Sequence, residues 1–129
     1  VSPEFAFDVC LEIYRNCVGK YGYIHALDPT ALKEHRWKPD RKPRPQDFAA
    51  DFCLAGQEAL EGSELHSRLV LFNIYYAGAC PYETARQWFR LSEMGWVRWT
   101  EEIRRIVGKE LIRRGLFPPR KYFEELARR

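Results

Sequence analysis

Between Met94 and Arg114 the chain carries Arg98, Arg104, Arg105, Lys109, Arg113 and Arg114, interleaved with Glu101. A guanidinium can donate two hydrogen bonds to the O6 and N7 edge of guanine, a carboxylate can accept from the amine of cytosine, and further cations can neutralise phosphate. Such groups are useful together only if one face presents them. At 100° per residue, Met94, Arg98, Glu101, Arg105 and Lys109 form a continuous stripe, opposite a side made of Trp96, Trp99, Ile103, Ile106 and Val107. The expectation is a duplex-reading helix. Met94, Val97, Arg98 and Glu101 would meet base edges, while Arg104, Arg105, Lys109, Arg113 and Arg114 would meet phosphate and fix the register. Glu101-Arg105 and Glu110-Arg114 are also spaced as i, i+4 surface ion pairs, a competing use of the same groups.

Other chemistry is thinly supplied. His25, His35 and His66 are scattered, no serine sits in a nucleophile elbow, and no glycine-rich phosphate loop or H-E-x-x-H motif occurs. Cys10, Cys17, Cys53 and Cys80 form no C-x-x-C pair and read as structural thiols. Neither catalysis, a metal nor a cofactor is expected.

The elements that must position the stripe belong to a chain of 129 residues, enough for one compact domain. Apolar residues at 46% and aromatic residues at 15% supply an ample core and exclude general disorder. No apolar run nears the roughly 20 residues that a membrane span needs. Glu4, Asp8 and Glu12 stand where a secretory signal would be basic and then apolar, so the expected location is cytoplasmic. Val1-Ser2-Pro3-Glu4-Phe5 resembles a cloning junction and carries no functional expectation. The net charge is only +3, but residues 81–129 hold 12 basic and 7 acidic groups, and residues 36–44 hold 5 and 1. A polyanion would meet the C-terminal third first.

Apolar spacing is helical nearly throughout, and no strand or internal repeat stands out. A first helix covers Phe5 to Val18, and Asp28-Pro29 caps a short second one running to Arg36. Pro39, Pro43 and Pro45 then enforce a stiff connector over residues 37–46, rich in basic groups. Helices follow from Asp47 to about Gly62, from Glu64 to Tyr76 as the expected centre of the core, and from Pro81 to Phe89. Ser92 would cap a long helix to Arg114, and Arg120 to Ala127 can form a last one. The fold class is all-α, a compact bundle of six or seven helices. Residues 1–80 would form supporting helices, with residues 81–129, a helix-turn-helix and a basic C-terminal helix, joined to them in one unit.

Ser67 to Ala85, followed by Leu91-Ser92 and the helix through Leu111, resembles the region-four DNA-binding module of bacterial sigma factors. In that pattern an apolar helix ends in a turn such as Tyr75-Tyr76-Ala77-Gly78, a short helix carries a small residue such as Ala85, and a Leu-Ser turn opens the reading helix, with Trp96 buried four residues on. Here the turn is one residue longer, and Phe89 takes the usual glycine's place. Residues 1–66 show no promoter-melting region. The resemblance implies duplex DNA as partner, sequence-specific binding in transcription regulation or mobile-element biology, and allows RNA polymerase or another protein as a second partner. The competing reading is a protein interaction module, built on Trp37, Trp88, Trp96, Trp99, Phe117, Tyr122 and Phe123.

Overall fold

A computed structural model describes residues 1–21, 28–40 and 42–123. It is all-α among these residues: α1 (Pro3–Tyr21), α2 (Pro29–His35), α3 (Pro45–Ala59), α4 (His66–Leu71), α5 (Tyr82–Trp88) and α6 (Glu93–Arg114). A 3₁₀ turn, Ser63–Leu65, leads into α4, and a π-helical segment, Phe72–Ala77, continues it. None of these helices is long and apolar enough to cross a membrane.

Local chemistry explains most of the boundaries. The Asp28 carboxylate accepts from the Thr30 N–H at 3.0 Å, and Pro29 opens α2 where no N–H is needed. The proline-rich connector ends earlier than the sequence suggests, because Pro45 itself starts α3. Asp47 reaches back to accept from the Arg44 N–H at 2.8 Å and from the Arg44 guanidinium at 3.1 Å. That ion pair lets a fully buried carboxylate stay in the first turn.

The centre of the core is α3, not the segment from Glu64 to Tyr76. Ten consecutive residues, Phe48 to Gln57, lie buried apart from half-buried Asp51, whereas α4 and its continuation bury only Leu71, Phe72, Tyr76 and Ala77. Small side chains make the difference. Ala49, Ala50, Ala55 and Gly56 let neighbours approach α3 from several sides, and a Cβ on Gly56 would lie 2.1 Å from the Phe72 ring. α1 fills one of those sides with Phe7, Cys10, Tyr14 and Cys17, at helical spacing. Its rings join a cluster in which Tyr14 stacks on Phe52 at 4.8 Å and Phe7 meets Tyr76 edge-on at 5.0 Å. The Tyr14 hydroxyl donates to the Ala77 carbonyl at 2.6 Å.

Residues 115–123 fold back over the bundle. Gly115 turns left-handed, the Leu116 N–H returns to the Leu111 carbonyl, and Leu116 and Tyr122 are buried. The Tyr122 ring packs edge-on to Phe48 at 5.1 Å, and its hydroxyl donates to Asp51. Burial and the adjacent carboxylate both push that phenol above its ordinary value. Of the expected helix from Arg120 to Ala127, the described part holds a single 3₁₀ turn, Pro119–Lys121, and the rest lies outside the described residues.

Candidate nucleic-acid interface

α5 and α6 form the helix pair expected from the sequence. Ala85, the small residue in the middle of α5, is fully buried. The turn closes by a double hydrogen bond: the Arg90 N–H donates to the Gln87 carbonyl and the Leu91 N–H to the Arg86 carbonyl. This motif needs a left-handed residue, which here is Arg90 at φ 54° rather than a glycine. The Arg86 guanidinium fastens the same turn by donating to the Leu91 carbonyl at 3.2 Å and pairing with Glu83 at 3.1 Å. The Ser92 Oγ then accepts from the Gly95 N–H at 3.0 Å and starts α6.

Aromatic rings hold the N-terminal half of α6 in place. Trp96, almost fully buried, receives Tyr75 at 4.7 Å and Tyr82 at 5.0 Å, while Trp99 meets Phe89 at 5.9 Å. The Arg68 guanidinium lies 4.3 Å over Trp99 and bonds Glu102 at 3.3 Å, bracing the flank of α6 from α4. Farther along, Ile103, Val107 and Leu111 are fully buried against α1 and α3. Gly108 lets α1 in so closely that a Cβ there would lie 2.0 Å from the Pro3 carbonyl oxygen.

With that side packed, the opposite stripe is open. Met94 is 65% exposed and Val97 45%, and Arg98, Glu101, Arg105 and Lys109 are exposed. None of these four charged groups makes an ion pair among the described residues, so Glu101 and Arg105 do not close their i, i+4 pair.

The remaining expected phosphate ligands are placed differently. Arg104 turns to α1, where its Nε and Nη2 donate to the two oxygens of Asp8 at 2.9 and 2.7 Å. Those bonds hold its pKa above the ordinary value. Arg114 bonds Glu110 at 2.7 Å and Glu58 of α3 at 3.3 Å, and Arg113 also pairs with Glu110. The hydrogen bonds from Arg113 and then Arg114 outweigh burial and hold the Glu110 carboxyl down at about 2.

Three groups near the interface lie outside the sequence expectation for it: the exposed Arg90 in the turn, Arg68 beside Trp99, and Glu102. A basic residue just before the Leu-Ser turn was the available signal for Arg90. Nothing local marks Arg68, whose partners lie 31 and 34 positions away. Of the rings counted as a possible docking surface, Trp96 and Tyr122 are buried and Trp37, Trp99, Phe117 and Phe123 half-buried, leaving Trp88 65% exposed. Comparisons with protein-family models, curated proteins and solved structures found no match to this chain.

Proposed function

We propose that this chain binds duplex DNA sequence-specifically through α5 and α6, in transcription regulation or mobile-element biology, without metal or cofactor. The observation that carries this reading is the open stripe on α6, which begins in the first turn after a tight, capped corner and bears Arg98, Glu101, Arg105 and Lys109. A reading helix inserts its first two or three turns into the major groove, and Met94, Val97, Arg98 and Glu101 occupy those turns. Arg98 is the guanine reader, Glu101 the cytosine acceptor, and Arg105 and Lys109 the phosphate ligands. Arg104, Arg113 and Arg114 reach phosphate only by leaving carboxylate partners. The sigma-region-four resemblance supports the same assignment.

Selection from random duplexes at two salt concentrations tests this reading. The expected result is an enriched motif with an affinity that falls steeply with salt. Arg105 and Lys109 on two phosphates would give a slope of log affinity against log salt of about −2. Absence of any enriched motif would overturn sequence-specific reading. The competing module reading rests on Trp88 and Met94, each 65% exposed, and expects saturable protein binding that is insensitive to salt.

A further inference from the structure

We infer that Arg90, in the corner between α5 and α6, is a third phosphate ligand of the duplex, held in a backbone position where glycine would fold better. The inference deepens the DNA reading and rests on it. Two observations carry it, one of strain and one of charge. The corner closes by bonds from the Arg90 and Leu91 N–H groups to the carbonyls of Gln87 and Arg86. The left-handed residue of that geometry is most often glycine, and here it is Arg90 at φ 54°. A Cβ crowds the following carbonyl in this conformation, so the arginine costs the fold stability that a glycine would not. Strain kept at an exposed corner points to use of the side chain that causes it.

That side chain is exposed and forms no ion pair among the described residues. The acidic groups of the corner are turned elsewhere. Glu83 bonds Arg86 at 3.1 Å, and that bond, with a weaker pull from Glu93, holds the Arg86 guanidinium above its ordinary value. Two arginines four positions apart thus divide their tasks: Arg86 fastens the corner, and Arg90 leaves its charge open. Position decides which anion suits it. Arg90 lies two residues before the Ser92 cap, at one end of the base-reading turns, and Arg105 and Lys109 lie at the other. From Glu93 to Arg105 a straight helix is about 18 Å long, and it leaves the curving groove at both ends, which sets flanking cations beside backbone rather than bases.

Binding of the full chain to two duplexes over a salt series tests this, one duplex bearing the motif enriched by selection and the other the same bases scrambled. With Arg90, Arg105 and Lys109 engaged, wild type should show a slope of log affinity against log salt of about −3, and Arg90→Gly about −2. Arg90→Gly should bind both duplexes about threefold to tenfold more weakly at low salt, because a phosphate contact carries no sequence information. Its Tm should meanwhile rise by about 2–4 °C, as the corner relaxes. Arg90→Ala keeps the strain without the charge, so it should bind like Arg90→Gly and melt below it. Arg90→Lys keeps both and should bind within about threefold of wild type. If Arg90→Gly binds as wild type does, or Arg90→Lys binds as weakly as Arg90→Gly, the arginine is no phosphate ligand. If Arg90→Gly melts below wild type, the corner gives up no stability for its cation, and the inference fails on that side. A wild type that binds neither duplex overturns the DNA reading and this assignment together, whereas salt-dependent binding untouched by Arg90→Gly overturns this assignment alone.

Discussion

Two groups of cations ride on α6, and their surroundings separate them. Arg98, Arg105 and Lys109 lie on the stripe facing away from the bundle, with no carboxylate drawn to them among the described residues. Arg104, on a flank, and Arg114, in the last turn, hold Asp8 of α1 and Glu58 of α3, with Glu110 shared between Arg114 and Arg113. The first group leaves positive charge available to an anion. The second spends it on docking and on the helix C-terminus, where cations also suit the backbone dipole. One helix can therefore both dock against the bundle and leave cations open to solvent, according to angle around its axis and position along it.

The sharpest test of the docked contacts is at Gly108, where α1 comes closest to α6. Gly108→Ala would force a Cβ into the Pro3 carbonyl and should cost about 1–3 kcal/mol of stability, read as a fall in Tm. An unchanged Tm would mean that α1 does not dock as described. On the open side, Arg98→Ala should leave Tm alone, cost about 1–3 kcal/mol against the preferred DNA site and relax selectivity there. Lys109→Ala should weaken all sites alike and reduce the salt slope by about one. Smaller effects separate Arg104 from both: Arg104→Ala should cost at most about 1 kcal/mol of stability, as half-exposed ion pairs do. Asp8→Asn should free Arg104 and tighten DNA binding, and equal affinity in the two proteins would remove that contrast.

A further effect is acid-dependent. Because the folded protein holds Glu110 at about 2 against an ordinary 4.5, its contribution is present above about 4.5 and is lost as pH falls towards 2. Glu110→Gln should flatten that part of the stability profile. An unchanged acid limb of the urea-midpoint curve would show the carboxylate to be unimportant.

The features legible in the sequence are those decided by neighbours along the chain. Asp28 before Pro29, Ser92 before α6 and Gly115 after it act through bonds to residues two to five positions away, so their types alone announce them. The packed and open sides of α6 were equally plain, because helical periodicity is a local rule. What escaped depends on distant partners. Arg104 and Asp8 are 96 positions apart, and nothing around Arg104 distinguishes it from Arg105. The segment from Glu64 to Tyr76 seemed central because it is strongly apolar, yet α3 took that place because small residues admit neighbours where large ones exclude them. The left-handed Arg90 was also hidden, since a position that suits glycine is filled there by a cation.

In the π-helical segment, the adjacent residues Tyr75 and Tyr76 look into different parts of the molecule: Tyr75 leans on Trp96, Tyr76 on Phe7. A single widened coil thus belongs at once to the interior and to the mounting of the long rod. Repacking around Phe72 would not stay private to the interior; it would bear on the mounting of the rod through Tyr75 and Trp96. Evolutionary drift deep inside this chain therefore has a route to the placement of that rod.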